Sequence, residues 1–310
     1  MKKILALLFL IFPLISKAQS STCWPSFRGN SAMTGTTNIK LSNSPELLWS
    51  FKTGDGIKSS PIYCNKNIFI GSNDGFVYSI SSKGKLNWKY KTTASIEAAP
   101  LYLNHILYVS SLEGILYSID ALSGKLKWKY ATEGQISGSS TWVFSPDKKS
   151  KYVLTGSYDY FLHAVDMNTG KAVWKYEADN YINGAPCTNG KVALFGGCDG
   201  YLHIVDVQTG KAEKLDIGTY IASSAAISDS LCFFGNYDGD FYCADFANKK
   251  IIWKHTGSGP FLASPAVFGN KVIIGSQDKT IYCFNKTDGK VLWKFKTLGK
   301  VDGSAIISGD

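Results

Sequence analysis

The sequence predicts an all-β fold, a β-propeller of four-stranded blades, and three repeating series predict it. Tryptophan-centred segments recur as "LLWSFK" (Trp49), "LNWKYK" (Trp88), "LKWKYA" (Trp128), "AVWKYE" (Trp174), "IIWKHT" (Trp253) and "VLWKFK" (Trp293). A second series of acidic turns, centred on Asp74, Glu113, Asp159, Asp199, Asp238 and Asp278, keeps the same register. A third lies between them: Ser60-Pro61, Ala99-Pro100, Ser139-Ser140, Ala185-Pro186, Ser224-Ala225, Ser264-Pro265 and Ser304-Ala305. Units of about 40 residues made of short strands argue for blades packed radially, so that both faces of each small sheet are buried. A sandwich has no reason to repeat at one period, and the coils of a β-solenoid are usually shorter.

The elements follow in chain order. Residues 1–18 read as a secretory signal: Lys2 and Lys3, the apolar run Ile4 to Ile15, then Ser16-Lys17-Ala18. That run is too short to span a bilayer, and no second hydrophobic segment of spanning length follows. Cys23 raises lipidation of the mature N-terminus, but "SSTC" lacks the residues expected just before a lipidated cysteine, so a soluble exported chain is the expectation. Residues 19–46 form a lead-in, and residues 47–310 the propeller.

Within the propeller each unit reads as four strands. In the second, "EAAPLYL" precedes a turn at Asn104-His105, then "ILYVS", a turn at Glu113-Gly114, "ILYSID", a turn at Ser123-Gly124, and "LKWKYA". Val, Ile, Tyr, Phe and Trp fill the strands, and Asn, Asp and Gly the breaks. An insertion, "VFSPDKKSK" at 143–151, lengthens the interval before Trp174. The frame places a further tryptophan at 214, where Lys214 stands. Six units are complete. The seventh has its outer strand at Leu47 to Lys52 and its inner strand at "SAIIS", residues 304–308, with no middle strands, so the expectation is a C-terminally incomplete version of a protein with 7 or 8 blades.

Size and charge bound the function. At 310 residues and 45% hydrophobic the chain can bury a large core. Its net charge of +9 falls to +6 once Lys2, Lys3 and Lys17 leave with the signal. Apart from Arg28 the positive charge is lysine, spread over the repeats, which is a solvated surface rather than a nucleic-acid stripe. The tryptophans, recurring unit by unit, read as packing slabs between blades.

The polar candidates have structural readings as well. The turn acids supply backbone geometry. His163 and His203 stand where other units have Tyr78, Tyr117, Tyr242 and Tyr282, and His255 stands in the slot of Tyr90, Tyr130 and Tyr176, so all three substitute for aromatic packers. His105 lies in a turn. Of seven cysteines (23, 64, 187, 198, 232, 243, 283), Cys243 and Cys283 share a repeat position filled elsewhere by Ser or Ala and read as small core residues. Cys232 and Cys243 flank one hairpin and could pair across a four-residue loop, Asn236 to Gly239, although spacing alone fixes no connectivity.

The segment "AVDMNTGKAVW", Ala164 to Trp174, resembles the tryptophan-docking repeat of pyrroloquinoline quinone (PQQ)-type propellers, and "WPSFRGN", Trp24 to Asn30, resembles the stretch that often precedes their first repeat. The resemblance covers nearly the whole mature chain and implies the fold. It implies one of two functional classes: quinone- and calcium-dependent alcohol or sugar dehydrogenases, or cofactor-free scaffolds such as the B component of the outer-membrane β-barrel assembly machinery. The dehydrogenases are similar in having an adjacent Cys-Cys pair, a Glu-Asn-Asp calcium site and basic residues on the quinone. Here no two cysteines are adjacent and the one arginine precedes the repeats. In register, the inner strands begin at Lys58, Glu97, Ser137, Asn183, Ala222, Leu262 and Asp302, so Glu97, Asn183 and Asp302 are the calcium candidates, drawn from separate blades.

The expectation is an exported, non-enzymatic propeller without catalytic residues or cofactor. It would bind proteins through its faces and loops, in the periplasm or outside the cell, in association with the outer membrane where it serves envelope assembly. The alternatives are a dehydrogenase using PQQ and calcium, or a carbohydrate- or polymer-binding domain. Nucleic acid is not an expected partner.

Overall fold

The computed structural model of the protein describes residues 23–309, and the signal expected at residues 1–18 lies outside them. Six four-stranded antiparallel sheets follow one another along the chain. Blade 1 comprises Ile62–Cys64, Asn67–Gly71, Phe76–Ser81 and Leu86–Lys91; blade 2, Leu101–Leu103, Ile106–Ser110, Ile115–Asp120 and Leu126–Ala131. Blade 3 is Thr141–Phe144, Lys151–Gly156, Phe161–Asp166 and Ala172–Glu177; blade 4, Cys187–Thr188, Val192–Gly196, Tyr201–Asp206 and Ala212–Asp216. Blade 5 is Ala226–Ser228, Leu231–Gly235, Asp240–Asp245 and Lys250–Thr256; blade 6, Ala266–Phe268, Lys271–Ser276, Thr280–Asn285 and Val291–Lys296. Turn chemistry sets these registers. Asn65-Lys66 and Asn104-His105 take left-handed φ at both positions (53° and 62°, 51° and 63°), the two-residue hairpin that matches strand twist.

The seventh position differs from the expected partial blade. Ile307–Ser308 pairs in parallel with Thr36–Thr37 of the lead-in, as Thr36↔Ile307 and Thr37↔Ser308. Leu47–Lys52, expected as an outer strand, has no ladder partner, because no strand inside it lies among the described residues. The apolar side chains that face this position stay exposed, among them Leu47, Leu48, Trp293 (44%) and Phe295 (62%).

The lead-in ties the inner strands together. Trp24 exchanges two backbone hydrogen bonds with Tyr63 of blade 1, and Pro25 O accepts from Tyr102 N of blade 2. Further along, Ser31 O accepts from Thr188 N (blade 4), Ala32 O from Ile227 N (blade 5), Thr34 O from Val267 N (blade 6) and Gly35 O from Ile307 N. A disulfide between Cys23 and Cys64 fixes the start of this segment. That bond consumes the thiol that lipidation at Cys23 would need. Arg28, the sole arginine, is buried in the lead-in and donates to Pro265 O of blade 6 at 2.9 Å. Burial lowers its pKa to about 10, because desolvation penalises the cation.

Between blades the tryptophans lie on glycines. Trp88 stands over Gly124, Trp128 over Gly170, Trp174 over Gly210 and Trp253 over Gly289, each at the TGK-type turn of the following blade, and Trp49 covers Gly84 of blade 1. A Cβ on any of these glycines would meet the ring at 2.6–3.1 Å, and each already has φ near 70°. The position therefore demands glycine twice over. Each indole also donates from Nε1 to a backbone carbonyl of that blade, Trp88 to Ala121, Trp128 to Met167, Trp174 to Val207 and Trp253 to Lys286, at 3.0–3.1 Å except 3.2 Å for Trp174.

Blade 4 breaks this rule, though not where the repeat frame put the break. In blades 1, 2, 3, 5 and 6 the outer strand carries a bulge beside its tryptophan. In blade 4 the bulged residue is missing, so Lys214 lies opposite His203 as Lys175 lies opposite His163. The tryptophan slot, opposite Ala164 in blade 3, is opposite Ile204 in blade 4 and belongs to Glu213. Lys214 thus fills an ordinary lysine slot, and its ammonium meets Asp179 at 2.6 Å. Across the seam the receiving glycine has become Lys249 (φ 54°), whose Nζ pairs with Glu213 at 3.0 Å. Ile204 replaces the small Ser79, Ser118, Ala164, Cys243 or Cys283 that faces tryptophan elsewhere.

The cross-strand disulfide allowed for Cys232 and Cys243 does not form. Cys232 pairs with Ala244 and Phe233 with Cys243, so the register is offset by one residue from the one assumed and the two thiols point to opposite faces of the sheet. Both are free and buried.

Candidate functional site

Inner strands of successive blades run side by side and open onto a cavity of about 210 Å³. Its floor is Phe27 of the lead-in; its wall includes Ser60, Ala99, Ser139, Ala185, Ser224, Ser264 and Ser304, the third repeat series. That series earns its place at the seams. Wherever the following unit supplies a serine, its hydroxyl accepts from the preceding inner strand: Ala99 N to Ser139 at 2.8 Å, Ala185 N to Ser224 at 2.9 Å, Ser224 N to Ser264 at 3.3 Å and Ser264 N to Ser304 at 2.9 Å. At Ala99 and Ala185 the hydroxyl is absent and so is the bond.

The rim holds Lys58, Glu97, Ser137, Asn183, Ala222 and Leu262, the residues expected to begin the inner strands. Lys58 Nζ meets Glu97 Oε1 at 2.6 Å, so the two charges neutralise each other across the first seam. Asn183 Oδ1 accepts from the Cys198 thiol at 3.4 Å. Asp302 is outside the lining and accepts from Gln277 Nε2 at 2.9 Å. Of the calcium candidates, Glu97 and Asn183 line the cavity, each with a partner from this chain, and Asp302, two residues before the lining Ser304, is bonded to Gln277. Among the described residues no group of three His, Cys, Asp or Glu is placed to hold a metal ion. A planar polyanionic quinone with a cation would need several free bases and acids in one place. The one lysine on this rim is committed to Glu97 and the floor is an aromatic ring, so these residues do not fit that pair.

Five of the six turn acids act within their blades; at the sixth, Asp238 is exposed and Tyr242 donates to Asp240 instead, at 3.0 Å. Asp74 accepts from Tyr78 at 2.5 Å and Asp278 from Tyr282 at 2.6 Å, and Glu113 accepts from Tyr117. Where histidine replaces the tyrosine it keeps the same partner: His163 Nε2 lies 3.0 Å from Asp159 and His203 Nε2 2.8 Å from Asp199. Both rings are fully buried, and Tyr130 and Tyr176 of the preceding blades reach their Nδ1 atoms at 3.0 Å. Each ring thus has a hydrogen-bond partner at both nitrogens, a carboxylate at Nε2 and a phenol at Nδ1. Burial works against the Asp159 carboxylate, but the hydrogen bond and charge of His163, with the amides of Glu133 and Phe161, outweigh it and hold its pKa at about 2. His255, packed against Phe261, Tyr282 and Phe284, has its pKa lowered, first by burial and then by Lys294.

With neither His nor Cys in the cavity lining, the mouth is a shallow polar cup in a rigid ring. Sequence reasoning found its rim but missed the Lys58–Glu97 pair, which follows from the 39-residue offset of two inner strands, and the Phe27 floor, which nothing in the lead-in's composition announces.

Fold and repeat together define a PQQ-like β-propeller protein. More narrowly, the family model of outer membrane protein assembly factor BamB matches residues 38–181 and 212–309, and the chain belongs to that family. The unmatched stretch covers most of blade 4, the blade that departs from the repeat. A comparison with curated protein sequences returns no match. Among solved structures, BamB from Moraxella catarrhalis is similar at TM-score 0.71 and 18% identity, covering 88% of this chain and 91% of that one. The computationally designed Ika8 protein is similar at TM-score 0.69 and 17% identity, over 78% and 75% of the two chains. Likenesses at these identities concern the fold. Among the described residues no helix is long and apolar enough to cross a membrane.

Proposed function

We propose that this protein is an exported, non-enzymatic scaffold, held in the periplasm beside the outer membrane, which positions protein partners during outer-membrane protein assembly. Membership of the BamB family supports the assembly role. The observation that carries the scaffold reading is the state of the channel. The lead-in ties five of the six blades and the last inner strand from below, Phe27 floors the cup, and the rim charges are spent on each other. What remains for recognition is the outer surface and the loops, which is how a propeller serves as a docking platform.

Depletion of the protein in its host is the test. Fewer folded β-barrel proteins in the outer membrane, restored by the wild-type chain and equally by Glu97→Gln, is the expected result. Normal barrel levels would refute the assembly role. In parallel, the purified mature chain should show no saturable binding of PQQ with calcium; binding with alcohol-dependent dye reduction would favour the dehydrogenase.

A further inference from the structure

Five tyrosines gather on the cup face at blades 3 to 5. Tyr158 and Tyr160 belong to the acidic turn of blade 3, Tyr181 precedes Asn183 of the rim by two residues, and Tyr220 and Tyr237 belong to blade 5. Tyr181 stacks on Tyr158 with centroids 4.9 Å apart and touches Tyr160 at 5.2 Å; Tyr220 stacks on Tyr237 at 4.7 Å. Cys198 stands beside Tyr181: its amide donates to Tyr181 O at 3.1 Å and its thiol to Asn183 Oδ1 at 3.4 Å. The same loop positions in the other blades carry Gly56 and Asn73, Ser95 and Leu112, or Pro260 and Gln277.

Three of these rings face solvent, Tyr160 at 39% exposure, Tyr181 at 42% and Tyr237 at 47%. Tyr160 sits there against its backbone preference. Its φ is 76°, in the slot that Gly75, Gly114, Gly200 and Gly239 fill in other blades. A bulky side chain in this region is strained, and an exposed ring recovers little by packing. On these and the adjoining loops stand Glu133, Asp179, Asp216 and Asp238, all exposed; of the lysines beside them Lys214 is held by Asp179, and Lys175 lies over the Phe161 ring at 5.6 Å. A chain of net charge +9 thus turns an acidic, tyrosine-rich sector outward.

We propose that this sector is a protein-docking surface for an arginine- or lysine-bearing segment of a partner. Rigid tyrosines among Asn, Gly and Thr give large contact area at little entropic cost, the composition of recognition loops. Ring faces and carboxylates together select cations by cation–π contact and by charge complementarity. The partner's being a protein rests on the scaffold reading, whereas the surface and its charge preference rest on the residues above.

The test follows tyrosine ring resonances of the full mature chain by NMR during titration with Ac-Arg-Gly-Arg-NH2, Ac-Glu-Gly-Glu-NH2 or maltotetraose. The expected result is saturable shifts at Tyr160, Tyr181 and Tyr237 with the arginine peptide, weakened about five-fold by Asp238→Asn and by raised salt. Tyr160→Gly is expected to weaken that binding while its melting temperature stays equal or rises. Absence of shifts, equal shifts with the glutamate peptide, or a stronger response to the saccharide would overturn the proposal. So would a Tyr160→Gly variant of lower melting temperature, which would make the ring a packing element. Barrel levels after depletion are not read here, so the assembly role and the docking surface can fail separately.

Discussion

Restoring the consensus at the seam between blades 4 and 5 requires two changes at once. Glu213 holds the tryptophan slot and Lys249 the slot of the receiving glycine, and they are paired at 3.0 Å. Burying most of an indole is worth ~5 kcal/mol gross, from ~200 Å² at ~25 cal/mol per Å². Against this stand ~1 kcal/mol of rotamer entropy, under ~1 kcal/mol for the exposed ion pair, and ~1–2 kcal/mol of crowding against Ile204. Glu213→Trp with Lys249→Gly should therefore gain about 1–2 kcal/mol. Glu213→Trp alone should lose about 1–3 kcal/mol, because a Cβ at the equivalent Gly289 would stand 2.6 Å from the Trp253 ring. Lys249→Gly alone should be nearly neutral, relief of the left-handed φ offsetting the freer unfolded chain. Urea denaturation of the four proteins gives the coupling, expected at ~2 kcal/mol or more. Additivity within ~0.5 kcal/mol would refute the seam argument, as would a gain from Lys214→Trp, which breaks the Asp179 pair and addresses the wrong slot.

Ser224→Ala should cost about 1–3 kcal/mol by leaving the buried Ala185 amide without its acceptor, whereas Ser60→Ala, which removes no such bond, should stay within ~0.5 kcal/mol in the same urea assay. Reduction of Cys23–Cys64, which closes a loop across a separation of 41 residues, should lower stability by about 3–4 kcal/mol, and Cys23→Ser should reproduce the loss and abolish any further effect of reductant. His255 has a folded-state pKa below its ordinary 6.5, so the unfolded chain takes the proton first. Its contribution is present above that value and is lost as pH falls below it, and His255→Phe should flatten the pH 5–7 part of a melting-temperature profile. Asp159, depressed from 3.8 to about 2, adds a second loss between those values, which Asp159→Asn should remove.

The fold was legible because each repeat series reports one physical requirement. A tryptophan needs a flat glycine, an acidic turn needs its phenol, and a seam amide needs its serine. Blade 4 misled by counting: the frame measured from the turn pointed at Lys214, and only the pairing reveals that the bulged residue is gone. The compensations were nonetheless in plain view, since Ile204, Glu213 and Lys249 depart from their columns together. The rim residues were readable from their register, but their contacts were not. Whether Glu97 faces an ion or Lys58 depends on the offset between two strands, which a single chain of letters does not display. The tyrosine sector escaped notice because its members come from different series and meet only in space.

The lead-in's ties have a kinetic meaning. Its residues leave the ribosome before any blade, yet Gly35 cannot engage Ile307 until all six blades have been made. A tandem array whose units touch only neighbours could melt or form piecemeal. A cord laced from blade 1 to the last inner strand raises the sequence separation of native contacts, slows the final step and makes it collective. Cutting the cord, rather than weakening any one blade, is then the way to turn a single sharp unfolding transition into a sequence of broad ones.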